Sequence, residues 1–250
     1  MSTMIYYMFC TSEPREDGFG AQFQNILWDI LYSEKNGLKY VCIPPKKIDH
    51  NYTNDSNYIQ RLIDYMNIEE RYGIQNLPTN TPLHINLRGQ LYNEIQANME
   101  LYHSGSIFER YQSDFFLNKK SPYDLQHFHV AVHIRRFNKC DLGDWGTITP
   151  DTYYLKMIRQ VRDDFKEKPL KFHIYSQGDE ANFSLFVAPD TVFHLNEDIL
   201  DTFNGMVFAD ILTSTTSSLS YVAALLSKGI IYHQPFWHKP LAKWRIVEKD

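Results

Sequence analysis

In the second half of the chain, short runs rich in β-branched and aromatic residues alternate with stretches whose apolar positions recur every three or four residues. The strand-like runs are Phe128 to Arg135, Lys171 to Ser176, Thr191 to Leu195, Asp210 to Ser214 and Gly229 to His233. Helical spacing covers Pro150 to Phe165, Glu180 to Phe186, Ile199 to Phe208 and Ser217 to Ser227. This alternation predicts a parallel sheet with crossover helices, a Rossmann-like unit whose ligand lies beyond the carboxyl ends of the strands.

The first half patterns less sharply. Met4 to Phe9 reads as a strand, followed by a loop ending Asp17-Gly18-Phe19-Gly20 and a helix from Gln22 to Glu34 that Gly37 stops. Lys39 to Ile43 reads as a second strand and His84 to Leu87 as a third, with helices at Tyr58 to Met66 and Gln90 to Tyr102. The polar stretch Asn118-Lys119-Lys120-Ser121-Pro122 marks a boundary. The expected organisation is α/β throughout: an N-terminal domain over 1–120 and a C-terminal domain over 125–250, facing a cleft. The segment from Pro235 to Trp244 is expected to pack back across that cleft.

An apolar share of 43% over 250 residues excludes a disordered chain, and a net charge of -5 gives no general attraction to nucleic acid or anionic lipid. Any phosphate must therefore meet a local basic spot. The three cysteines, Cys10, Cys42 and Cys140, lack zinc or redox spacing and read as free thiols of a reducing compartment. Met1 to Phe9 lacks the basic region and cleavage site of a leader, and no apolar run reaches spanning length, so the expectation is a cytoplasmic protein without membrane insertion.

The strongest chemical signal is His129-Val-Ala-Val-His133-Ile-Arg135-Arg136-Phe137-Asn138, a buried strand running into two adjacent arginines. A guanidinium offers a planar fork of donors that matches phosphate oxygens, so Arg135 and Arg136 can hold a diphosphate and stabilise its growing charge. They can equally be paired with surface carboxylates. Further on, Ser214, Thr215, Thr216, Ser217 and Ser218 lie between a strand and a helix, where hydroxyls and free N–H groups meet the positive end of a helix dipole. That is a phosphate cradle, or else an over-determined helix cap.

The segment His133-Ile134-Arg135-Arg136-Phe137-Asn138 resembles motif I of the α1,2-, α1,6- and protein O-fucosyltransferase superfamily, with Asn138 where the family has Asp. Lys171 to Asp179, with Gln177 and Asp179 in its final turn, resembles the strand that follows motif I. Ile199 to Tyr221, which contains Asp201 and the Ser/Thr run, resembles the last donor-binding motif. The loop Glu16-Asp17-Gly18-Phe19-Gly20-Ala21-Gln22 resembles the glycine-rich first loop, placing Gly18, Gly20 and Gln22 near the donor.

The resemblance implies a GT-B-type fold and inverting transfer from a nucleotide-sugar, GDP-fucose above all, to a glycan hydroxyl. The base expected by analogy is Asp144, then Asp17, then Asp141. No Asp-x-Asp pair is present to bridge a cation to a diphosphate, so no metal or other cofactor is expected. His127, His129 and His133 share a strand parity, but a strand fans such side chains apart. Two other readings stay open: the same fold with another donor such as UDP-xylose, and a sugar-nucleotide- or glycan-binding module without catalysis.

Overall fold

The computed structural model describes residues 9–136 and 149–248. The chain divides into two compact units, one ending at Lys119 and the other beginning at Lys120. Both are α/β with parallel sheets.

In the N-terminal unit, β1 (Phe9–Ser12) is followed by α1 (Phe19–Lys35), β2 (Lys39–Tyr40), α2 (Tyr58–Met66) and α3 (Glu69–Tyr72). Then come β3 (Leu83–Asn86), α4 (Arg88–Ala97), α5 (Met99–His103) and α6 (Ser106–Phe116). The strands pair in parallel in the order β2-β1-β3. Helix α1 buries Phe23, Ile26, Leu27, Ile30 and Leu31, and it stops where Gly37 takes a positive φ of 70°.

Several expectations shift here. Of the strand expected over Met4 to Phe9, only Phe9 lies within the described residues, and from it the strand runs through Thr11 and Ser12, where β3 pairs with it as far as Asn86. The second strand shortens to two residues, after which Val41 donates to the Cys10 carbonyl and Cys42 bridges to Gly73. The helix expected from Gln90 to Tyr102 breaks at Asn98, whose side-chain amide bonds the Glu94 carbonyl and carboxylate in competition with the helical ladder. Helix α6 escaped the sequence reading, although Phe108, Tyr111 and Phe115 lie at the helical spacing that buries them.

The C-terminal unit runs β4 (Phe128–His133), α7 (Asp151–Asp164), β5 (Leu170–Ser176), a 3-10 segment (Glu180–Phe186) and β6 (Thr191–Leu195). It continues with α8 (Ile199–Phe208), β7 (Ile211–Ser214), α9 (Ser218–Leu226), β8 (Ile230–His233) and β9 (Arg245–Ile246). All pairings are parallel, in the order β6-β5-β4-β7-β8-β9. Val130, Val132 and Ile134 pack with Tyr153, Tyr154, Met157 and Val161 of α7 on one face, and this cluster is closed to solvent. The strand β9 was not foreseen. Just before it, Trp244 packs on Tyr221 and His233 at ring separations of 5.5 and 5.1 Å, so the tail covers the unit it belongs to.

Gly229 opens β8 against the carbonyls of Ala209 and Asp210, where an added Cβ would collide with main chain that is held by the Ile230 N–H bond to Asp210 at 2.8 Å. Gly229→Ala is expected to cost at least about 1–3 kcal/mol, the range for overpacking at an unyielding contact. A lowered urea midpoint would show it; an unchanged midpoint would mean that this strand can shift freely.

Candidate functional site

The strand order places β4 at a topological switch point. From β4 the chain steps outward to β5 and β6, then returns to β7 on the other flank, the arrangement that in open α/β sheets places a ligand crevice at the carboxyl edge. Ile134, Arg135 and Arg136 follow β4 there, and Thr215, Thr216 and Ser217 follow β7 into α9.

Three neighbouring elements hold the end of β4. Ile134 N–H donates to the Tyr175 carbonyl at 3.0 Å, and Ser176 Oγ donates to the Ile134 carbonyl at 2.7 Å. Arg135 N–H donates to Tyr154 Oη at 3.2 Å, and Thr215 Oγ1 donates to the His133 carbonyl at 3.3 Å. The main chain from which the Arg135 side chain departs is therefore fixed from β5, α7 and β7 together.

Arg136 donates to Asp151 Oδ1 at 2.7 Å, and its guanidinium lies 5.1 Å from the Phe183 ring centre. Asp151 is also the acidic residue in the first turn of α7, where the helix dipole favours it. Arg136 is thus paired with a carboxylate while remaining partly exposed.

The Ser/Thr run also divides. Ser217 caps α9 by accepting from Leu219 N–H at 3.3 Å, Thr215 is engaged with His133 and Ser220, and Ser214 Oγ lies 3.4 Å from His233 Nδ1. All three are buried. Thr216 and Ser218 are only partly buried, and they sit where a first helical turn leaves N–H groups without intrahelical acceptors. Thr216 Oγ1 also lies 3.3 Å from Thr149 Oγ1.

Among the described residues, eight buried polar side-chain atoms have no protein partner, and four of them lie in or just beyond these strands: His133 Nδ1, Thr213 Oγ1, His233 Nε2 and Gln234 Nε2. Burial, together with the nearby Arg135 charge, pushes His133 down to about 3, and burial alone pushes His233 down to about 4. Both imidazoles are therefore neutral at ordinary pH. Gln234 was missed from sequence. It sits fully buried directly after β8, with Oε1 accepting from Thr149 Oγ1 at 2.9 Å. A polar residue ending an apolar strand was the available signal.

Gln177 and Asp179 are exposed beyond β5. Between them Gly178, with φ of 120°, is pinned to Asn196 by two 2.9 Å bonds. Asp201 is exposed in the first turn of α8 and borders a surface hollow shared with Tyr175, His194 and Glu197. Asn138, Asp141 and Asp144 lie outside the described residues.

In the N-terminal unit, Asp17 Oδ1 accepts from Gly18 N–H at 3.1 Å, and Asp17 Oδ2 lies 3.5 Å from Arg88. Gly18 precedes α1, and a Cβ there would meet the His50 ring at 2.9 Å. Gly20 is buried in the first turn of α1, and the Gln22 amide donates to the Arg15 carbonyl at 2.7 Å, closing the loop on itself. Asp29, unremarked in the sequence, is buried beside Asn86 Nδ2 at 2.8 Å, and burial raises its carboxyl to about 6.

No protein-family model matches the chain, and no curated protein matches it in sequence. Among solved structures it is similar in fold to NodZ α-1,6-fucosyltransferase co-crystallised with GDP, with a TM-score of 0.41 and 13% identity over 88% of this chain and 93% of that one. The fucosyltransferase NodZ from Bradyrhizobium gives a TM-score of 0.42 at 12% identity over the same shares. POFUT1 in complex with GDP gives 0.30 at 13% identity, covering 87% of this chain and 70% of that one. No residue role is carried over from these likenesses. Roles are assigned from the chain's own residues.

Proposed function

We propose that this protein is a fucosyltransferase-like glycosyltransferase that moves a sugar, L-fucose from GDP-fucose in the first instance, to a glycan hydroxyl by inverting, metal-independent transfer. The observation that carries the reading is the position of Arg135 at the β4/β7 switch point, beside the turn at Thr216 and Ser218 that opens α9. The donor's identity follows from the motif I resemblance.

In this reading the bond from the anomeric carbon to the diphosphate oxygen breaks, and its electron pair leaves with the diphosphate. The Arg135 guanidinium and the N–H groups of the first turn of α9 stabilise that departing charge, which supports transfer without a bridging cation. The acceptor oxygen bonds to the opposite face of the anomeric carbon, and its proton passes to a carboxylate, for which Asp144, Asp17 and Asp141 are the candidates in that order. A cytoplasmic setting with a soluble or membrane-presented glycan acceptor belongs to the same proposal.

Calorimetric titration with GDP and with UDP, each in EDTA, tests it. Tighter binding of GDP is the expected result. Tighter binding of UDP would retain a transferase and replace its donor, and binding of neither would overturn the reading.

A further inference from the structure

Away from the switch point, three histidines of the C-terminal unit form a hydrogen-bonded file across one face of the sheet. His129 Nε2 lies 3.1 Å from the Asp124 carbonyl oxygen, His129 Nδ1 lies 2.9 Å from His173 Nε2, and His173 Nδ1 lies 2.9 Å from His194 Nε2. The file ends at Glu197, whose Oε1 is 2.9 Å from His194 Nδ1. Strand register makes this possible. Ala131 is opposite His173 and Tyr175 is opposite His194, so each step to the next strand advances two residues and keeps the same face. Tyr123 stacks on His129 at 4.4 Å and Tyr175 on His194 at 4.5 Å, fixing the ring planes.

A carbonyl and a carboxylate only accept, whereas each N···N contact needs one hydrogen on one of its two nitrogens. One tautomer set satisfies every contact from His129 to Glu197 and leaves the His129 Nε2 lone pair available to a divalent cation in place of the Asp124 carbonyl. Each ring then carries its hydrogen on Nδ1, and the bonds run head to tail from His129 through His173 and His194 to Glu197. Metal-ligating histidines are oriented by such a bond from the second nitrogen to a carboxylate, and here it is relayed through two further rings.

The ligands for such a cation are present at that end of the file. Asp124 Oδ1 lies 3.0 Å from His127 Nδ1 and 3.5 Å from His129 Nε2, and one ligand atom from each of the three residues lies within 4.8 Å of the others. A tetrahedral zinc site with ligand distances of about 2.0 Å has edges of about 3.3 Å. Asp124 is exposed and His127 partly so, which leaves room for water as a fourth ligand. The sequence reading had grouped His127 and His129 with His133. That residue sits at the far end of β4, and Asp124 takes its place.

We propose that Asp124, His127 and His129 form a divalent transition-metal site, zinc by preference, supported by the hydrogen-bonded file His173, His194 and Glu197. The site lies at the amino-terminal end of β4, the opposite end from Arg135, and it is independent of the donor reading.

The test uses the full chain, stripped of metal by chelator and titrated with zinc chloride by calorimetry and with cobalt(II) by visible absorption. One zinc per chain and intense cobalt bands of a tetrahedral site are expected. Asp124→Ala and His127→Ala change side chains that reach solvent, so circular dichroism should stay unchanged while zinc affinity falls more than about 100-fold. Glu197→Ala should cost about 10–100-fold, the range for lost outer support, and Glu197→Gln, which keeps an acceptor, should recover part of it. Zinc far below one per chain, or full affinity in Asp124→Ala and His127→Ala, would overturn the proposal. GDP binding should be unchanged in both variants, so failure here is separable from failure of the transferase reading.

Discussion

Arg135→Ala lowers kcat/KM for sugar transfer by about 10²–10³, or about 3–4 kcal/mol of transition-state stabilisation, if Arg135 holds the departing diphosphate. The fold should survive, because the Arg135 main-chain N–H and the carbonyls of His133 and Ile134 keep the contacts that fix this stretch. Arg136→Ala provides the contrast. It removes a partly exposed ion pair with Asp151, worth about 1 kcal/mol or less, and acts on stability. Steady-state kinetics beside thermal melts separate the two variants. Turnover of Arg135→Ala at the parent rate would end the phosphate role.

Acid should destabilise the C-terminal unit through His133 and His233, and the sign follows from where the protons go. Both imidazoles sit below the usual value of about 6.5, His133 at about 3 and His233 at about 4, because burial penalises their charged forms. Between pH 6.5 and those values the unfolded chain binds protons that the folded chain refuses. Stability is fully present above pH 6.5 and falls by about 1.4 kcal/mol per pH unit for each histidine as pH drops. Asp29 in the N-terminal unit acts in the opposite sense. With its carboxyl raised to about 6, its contribution is fully present below about pH 4 and is lost as pH rises through 6. Urea melts from pH 7 to 4.5 should show His133→Gln with a shallower acid loss than the parent, by about 1.4 kcal/mol per pH unit. Equal slopes would mean that His133 is already solvated in the fold.

Much of the C-terminal unit was legible from pattern. β6 and α8 have the bounds that periodicity predicts, and β4, β5, β7 and β8 differ from it only at their ends. Parallel strands buried on both faces write near-continuous apolar runs, and their crossover helices write a contrasting period. The N-terminal unit writes less. Its second strand is two residues long, and the break at Asn98 depends on a side chain competing for its own helix's carbonyl.

The sequence by itself determined the alternation of strands and helices, and it singled out the arginines and the hydroxyl-rich turn as the groups suited to phosphate. The tertiary structure alone decided their order in space. It put Arg135 at the strand reversal, gave Arg136 to Asp151, and spent Ser214, Thr215 and Ser217 on holding neighbouring strands and capping α9. It also brought His129, His173 and His194 into one file. The physical reason is that residue type and period fix what a side chain can bond and which face it takes, whereas its partner depends on strand order and register, set by contacts between residues far apart in the chain.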